Sequence, residues 1–378
     1  MGDTMADTLA GTATAPRRRA RFHRLTVSRV RPLTEDSIEV TFRVPAEFED
    51  DYRYDAGQYV AIRATLGGTE LRRSYSICAA PVPGEIRVAI KRDLGGLFST
   101  WAIENLAEGA ELDVMSPEGN FTTDIRADLA RHYVAIAAGS GVTPVVALAH
   151  TVLERSRGSQ FTLVYSNRTA LDTMFLEELA DLKDKYPARL ALHHVLTRER
   201  RSSPLLSGRI DHEKLQAILD LLVRPETVDE WFICGPFELV QLCRDTLAAA
   251  GVPAEDIRFE LFTTGEPSRP EGSRGRPVEI EPGGAVHSIT FTLDGRSSTV
   301  TTPVHGRESV LNAALRVRPD VPFACAGGVC GSCRAKVTCG TVEMEENFAL
   351  EPEELERGYV LTCQSLPTSE AVSVDYDV

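Results

Sequence analysis

The chain has 378 residues, 43% hydrophobic and 25% charged, with a formal net charge of −14. That length exceeds what one hydrophobic core organises and implies two or three domains. The acidic balance argues against a nucleic-acid binder, which needs a basic face, and no apolar run is long enough for a membrane-spanning helix.

Residues 1–21 are small and polar, then basic, with no apolar stretch after the arginines. They read as a disordered tail, not an export signal, so the chain is expected to be cytoplasmic. Over residues 22–124, HRLTVSRV, SIEVTFRV, QYVAIRA, RSYSIC and EIRVAIKR are short strand-like segments broken by turns. Their spacing predicts a small antiparallel β-barrel. Over residues 125–265 apolar strands such as YVAIAA, FTLVYS and WFICG alternate with helical stretches such as PVVALAHTVLER and ELVQLCRDTLAAAG. That rhythm predicts an α/β domain built on a parallel sheet.

Three places in this second unit suit a nucleotide. Gly139 and Gly141 follow the first strand and open a helix, so a pyrophosphate can come close to the helix N-terminus. YSNRT puts Ser166, Asn167 and Arg168 at the end of the second strand, where an adenosine ribose lies in such sheets. Arg168 suits a 2′-phosphate, which favours NADPH, with NADH as the alternative. Cys234, Gly235 and Pro236 end a later strand at the carboxyl edge, where ligands bind.

Residues 266–284, rich in Pro, Gly, Ser and charge, read as a linker. Residues 285–378 form a third unit: SITFTLDGRSSTVTTP is a hairpin with an Asp-Gly turn, SVLNAALRV a short helix, and CAGGVCGSC follows. Cys325, Cys330 and Cys333 have C-x4-C-x2-C spacing, with Cys363 well downstream. This is the plant-type [2Fe-2S] pattern: a tight loop wraps three thiolates around the cluster and a separate segment supplies the fourth. Gly327, Gly328 and Gly331 let the loop fold sharply. Cys339 falls outside the pattern and reads as a buried or spare thiol. From Val286 onward thirteen acidic side chains face seven basic ones, most densely in EMEENFALEPEELE. Such a surface suits docking to a basic patch on a partner protein, which would make electron transfer salt-sensitive.

Arg73-x-Tyr75-Ser76 on a barrel strand, Gly139-x-Gly141-x-Thr143-Pro144 and Cys234-Gly235-Pro236 together resemble the ferredoxin-NADP reductase superfamily. With the C-terminal cysteine loop, the chain resembles the reductase components of multicomponent oxygenases over residues 22–378. The domain order is most similar to the reductase subunits of phenylacetyl-CoA epoxidases. The resemblance implies FAD in the barrel domain and a β-grasp ferredoxin fold for the third unit. It implies that Arg73 pairs with the flavin phosphates, with Lys91, Gly96 and Ser99 forming a second phosphate segment. Tyr75 lies against the isoalloxazine and Ser76 near its N5. Thr143 and Cys234 face the nicotinamide, Glu260 sits by the flavin edge, and SPEGNF closes the domain, with Ser116 where the family has glycine.

A nicotinamide delivers two electrons at once and a [2Fe-2S] cluster takes one, so a flavin must stand between them. The expected partner is a terminal oxygenase, most simply a di-iron enzyme acting on an aromatic acyl-CoA. A reductase of a Rieske ring-hydroxylating dioxygenase carries the same motifs. A non-catalytic redox sensor is the third reading, and it leaves the hydride entry point without a purpose.

Overall fold

The computed structural model describes residues 21–93, 96–262, 278, 284–318, 321–323, 328, 331–347, 349–350 and 352–378. Nearly all of the expected tail, most of the expected linker, and Cys325, Cys330 and Gly327 lie outside the described residues.

The first unit is a six-stranded antiparallel sheet of β1 (Phe22–Thr34), β2 (Ser37–Arg43), β3 (Tyr59–Leu66), β4 (Thr69–Ser76), β5 (Glu85–Lys91) and β6 (Glu111–Met115), in the order β4-β3-β6-β1-β2-β5. An Ile77–Val88 bridge and a 2.9 Å bond from the Cys78 N–H to the Arg87 carbonyl join the two outer strands, closing the expected barrel. Strand alternation sends Leu25, Val27, Val40, Phe42, Ile62 and Val88 inward to one core. Helix α1 (Leu97–Asn105) adds Phe98 and Ala102 to that core.

The second unit runs β7 (His132–Ala138), α2 (Val142–Arg155), β8 (Gln160–Asn167), α3 (Leu176–Lys185), β9 (Leu190–Leu196), α4 (His212–Ile218), β10 (Glu230–Gly235), α5 (Phe237–Ala249) and β11 (Ile257–Leu261). Its strands lie in the order β11-β10-β7-β8-β9, every pair parallel. Helices on both faces explain why β7 and β10 read as unbroken apolar runs, with Tyr133 and Trp231 fully buried. The strand order reverses at β7, which fixes a crevice at the carboxyl ends of β7, β8 and β10.

The third unit comprises β12 (Val286–Leu293), β13 (Arg296–Pro303), α6 (Val310–Leu315), β14 (Arg334–Cys339), β15 (Val342–Met344), α7 (Pro352–Glu356), β16 (Tyr359–Leu361), β17 (Ser365–Pro367) and β18 (Ala371–Asp375). Asp294 (φ 59°) and Gly295 (φ 67°) make the two-residue hairpin turn that the sequence signals. The C-terminal β18 inserts between β12, to which it is parallel, and β14, giving the mixed order β13-β12-β18-β14-β16. Helix α6 is capped by the Ser309 hydroxyl, which accepts from the Asn312 N–H at 3.2 Å.

Candidate functional site

The barrel and the parallel sheet meet in a cleft of about 1230 Å³. From the barrel, Arg73, Tyr75, Ser76, Lys91, Gly96 and Ser99 line it. From the second domain come Gly139, Thr143, Ser166, Asn167, Arg168, Gly235, Pro236 and Glu260. Residues as far apart in sequence as Asp36 and Phe262 thus share one cavity wall. The Ser76 hydroxyl donates to Glu260 Oε2 at 3.0 Å, so the two domains are joined at the residues expected near the flavin ring.

At the barrel end, Tyr75 packs on Phe98 of α1 with ring centroids 5.8 Å apart. The Ser99 hydroxyl accepts from the Asp93 N–H at 3.0 Å and fixes the turn into α1. Arg73, Lys91 and this helix start gather cations and N–H donors where a diphosphate would sit, and the Tyr75 ring offers a flat apolar surface beside them. The fit to a flavin nucleotide rests on that combination.

At the nucleotide end, Gly139 has φ +54°, a conformation that favours glycine, and the Tyr165 hydroxyl donates to its carbonyl at 3.0 Å. A Cβ on Gly141 would lie 2.3 Å from the Cys234 carbonyl oxygen, so only glycine lets this turn pass over β10. Cys234, Gly141 and Pro144 are buried beneath the cleft wall and do not line it. The Cys234 thiol is fully buried, and burial together with the nearby Glu260 carboxylate pushes its pKa well above the ordinary thiol value. In the register of β10 and β11, Cys234 stands beside Glu260, whose side chain lines the cleft, and it packs in one buried cluster with Phe232 and residues of α2.

Asp36, which carries no motif, ties this end together. Its carboxylate is 3.1 Å from Lys91 Nζ and 3.3 Å from Arg168 Nη2, and Arg168 also donates to Asp172 at 2.8 Å. Partial burial pushes the Asp36 carboxyl up, but the Thr34 hydroxyl, Lys91 and Arg168 outweigh it and hold it below its ordinary range. Arg198 and Arg209 join Arg168 in the same wall.

A second polar seam joins the domains behind the cleft. Arg31 of β1 donates to Glu39 at 2.6 Å and to Glu178 of α3 at 3.0 Å, and His150 of α2 lies 3.2 Å from Glu178. Burial raises the Glu178 pKa, but His150 and Arg31 outweigh burial and leave it lowered. The stabilisation from Asp36 and Glu178 is therefore complete above the ordinary carboxylate pKa of about 4 and lost as pH falls through their lower folded values. In Glu178→Gln, the drop in thermal midpoint on acidification below about pH 5 should be shallower than in wild type by a few degrees. An identical pH slope in the variant would remove Glu178 from this role.

In the third domain, Cys333 is buried and Cys363 half-buried. The Thr362 N–H and hydroxyl both donate to the Cys333 carbonyl, at 3.2 and 2.8 Å, and the Tyr376 hydroxyl donates to Thr362 Oγ1 at 3.0 Å. The segment carrying the distant cysteine is thereby fastened to the loop carrying the others. The Gln364 amide donates to Cys363 Sγ at 3.7 Å. A Cβ on Gly328 (φ +77°) would come within 3.1 Å of the Glu346 carbonyl. A cradle this close, with an N–H donor aimed at sulfur, fits a thiolate-bound cluster.

The third domain rests on the barrel beside the cleft. Tyr59 and Ser332 share a 2.8 Å hydrogen bond between hydroxyls, and Arg72 donates to the Val321 carbonyl at 3.1 Å. Tyr59 lines the cleft and stands across the β3–β4 ladder from Ser76.

A barrel, a parallel sheet with a ligand cleft and a ferredoxin-like domain, in that order, define an NAD(P)-linked flavin and iron–sulfur oxidoreductase. Family models agree: "Oxidoreductase FAD-binding domain" matches residues 24–123, "Oxidoreductase NAD-binding domain" 135–245 and "2Fe-2S iron-sulfur cluster binding domain" 291–368. The chain is 45% identical to one of the subunits of the 1,2-phenylacetyl-CoA epoxidase of Escherichia coli (strain K12), over 94% of this chain and 98% of that protein. It is 32% identical to the 3-ketosteroid-9-alpha-monooxygenase ferredoxin reductase component of Rhodococcus rhodochrous, over 93% and 96%. Among solved structures, phthalate dioxygenase reductase shares the fold at TM-score 0.55 and 22% identity, covering 94% of this chain and 98% of that one. The chain belongs to the family of oxygenase reductase components that join FAD-binding, NAD-binding and 2Fe-2S domains in one polypeptide. Among the described residues no helix is long and apolar enough to cross a membrane.

Proposed function

We propose that this chain takes electrons from NADPH and delivers them to a terminal oxygenase acting on phenylacetyl-CoA, the substrate named for its 45% identical relative. When bound, the flavin accepts the nicotinamide's electron pair and passes it on singly through the [2Fe-2S] cluster. The observation that carries the reading is the convergence on one cleft. There Arg73, Lys91 and Ser99 would hold the flavin phosphates, and Tyr75 would offer its ring to the isoalloxazine. Ser76 and Glu260, already hydrogen-bonded to each other, would bind at the reacting edge. Thr143 and the Gly139 turn would bind the nicotinamide nucleotide, and in the third domain Cys333 and Cys363, with Cys325 and Cys330, would hold the cluster. The same reading puts the chain in the cytoplasm, where thiols stay reduced.

The preference for NADPH rests on Arg168, supported by Arg198 and Arg209 in the same wall. A charge-assisted bond to the 2′-phosphate predicts that Arg168→Ala raises KM for NADPH by about 10- to 100-fold and leaves KM for NADH nearly unchanged. Equal effects on both coenzymes would sink the assignment. The partner is tested by co-expressing the chain with a phenylacetyl-CoA epoxidase oxygenase complex and measuring NADPH-driven epoxidation. Turnover with a Rieske dioxygenase instead would reassign the partner and leave the electron path intact.

A further inference from the structure

The outward face of β3 should meet water, yet Tyr59 and Ala61 are only 3% and 0% exposed, and with Met115 and Phe22 they form a small apolar cluster outside the barrel core. Tyr59 is held from two sides. Its N–H donates to the Glu118 carbonyl at 2.8 Å and its carbonyl accepts from the Glu118 N–H at 2.9 Å. A Cβ on Gly119 would come 3.0 Å from the Tyr59 ring, so the SPEGNF turn needs glycine there to let the ring lie flat. The hydroxyl then reaches Ser332, the residue before Cys333.

The second contact lies on the neighbouring strand. Arg72 is 4% exposed, its guanidinium 5.4 Å from the Phe22 ring centroid and 5.3 Å from that of Phe323, while it donates to the Val321 carbonyl. Val321–Phe323 is the segment that leads into the cysteine loop, and Ser332 is near the end of it. A buried cation spanning two aromatic faces and a carbonyl fixes geometry well, because both cation–π attraction and the hydrogen bond strengthen when water is excluded.

We propose that Arg72 and Tyr59 are positioning residues that pin the two flanks of the cysteine loop to the flavin-bearing wall and so set the rate at which electrons pass from flavin to cluster. The inference rests on the reductase reading above. Tyr59 is across the ladder from Ser76 and Arg72 is next to Arg73, so the strands expected to hold the flavin also hold the cluster loop. Electron tunnelling weakens exponentially with separation, so a domain that lifts from this wall passes electrons slowly even with both cofactors in place.

The test uses the full-length holoprotein. Arg72→Met keeps the apolar stem and removes the cation and its hydrogen bond. Stopped-flow mixing with NADPH should show flavin bleaching at the wild-type rate, followed by cluster reduction slowed about tenfold, the worth of a charge-assisted bond in docked population. In the resting protein without NADPH, amide hydrogen exchange at Val321, Phe323 and Ser332–Arg334 should rise by a similar factor. Ser332→Ala, which leaves the barrel intact, should produce both effects at about threefold and decides the matter if Arg72→Met does not fold. Arg72→Lys should recover only part of the loss, since it keeps the charge without the planar fork. Wild-type transfer and exchange in both Arg72→Met and Ser332→Ala would overturn the proposal. If wild type itself passes no electrons to the cluster, the reductase reading falls, and the exchange measurement still decides whether these residues pin the loop.

Discussion

Cys363→Ser is expected to purify yellow but without iron. The fastening of Thr362 to the Cys333 carbonyl brings this thiol to the loop that carries the other three, and hard oxygen is a poor substitute for thiolate sulfur at iron. Cluster ligation is cooperative with local folding, so losing one ligand loses the group. Ferricyanide, which takes electrons directly from flavin, should still be reduced by NADPH. Reduction of a one-electron protein acceptor such as cytochrome c should fall by more than about 100-fold, beyond the loss seen when only a supporting contact at a metal site is removed. Cys339→Ser is the control: its thiol is exposed on β14 and outside the spacing pattern, and both activities should be unchanged. A Cys363→Ser protein that keeps its iron would refute the ligand set.

The second large effect is on stability. Glu308 is buried, and its carboxylate receives Arg316 through two bonds, at 2.9 and 3.0 Å, and the Asn312 amide besides. It anchors α6 against the hairpin, since Arg316 also donates to the Thr301 carbonyl of β13 at 2.6 Å. Glu308→Ala leaves a mostly buried guanidinium without its counter-charge, which costs about 3–5 kcal/mol. For a domain of this size that is a fall of at least about 10 °C in its unfolding midpoint. The loss should be confined to the third domain. Calorimetry should show an early transition accompanied by loss of iron absorbance, while the flavin-bearing part melts as before. Glu308→Gln, which keeps the shape and the Asn312 contact, should lose roughly half as much. A single unchanged transition would contradict this account of α6.

The elements that can be read from the sequence are those whose pattern is local and long. HRLTVSRV, EIRVAIKR, YVAIAA and PVVALAHTVLER announce their period within one segment, and they correspond to β1, β5, β7 and α2. The strands β14 to β18 give no such signal. Most are three to five residues long, and β18 finds its place by pairing in parallel with β12 from the far end of the domain. Strand β6 is also silent, because ELDVM is short and follows a turn.

The cleft shows the same division. Arg73, Tyr75, Gly139 and Arg168 stand in recognisable strings, whereas Asp36, Tyr59 and Arg72 owe their roles to partners 132, 273 and 249 positions away. No single segment predicts such pairs. Cys234 also stands in a recognisable string: it is buried beside Glu260, and its neighbours Gly235 and Pro236 line the cleft.

The most direct measurement is an anaerobic titration of the purified, reconstituted chain with NADPH, followed by visible absorbance and electron paramagnetic resonance. Bleaching of the flavin band, loss of the iron–sulfur absorbance and appearance of a reduced-cluster signal in the same sample would establish the coupled path described here. A spectrum in which the flavin bleaches while the cluster stays oxidised, or in which neither changes, would contradict it.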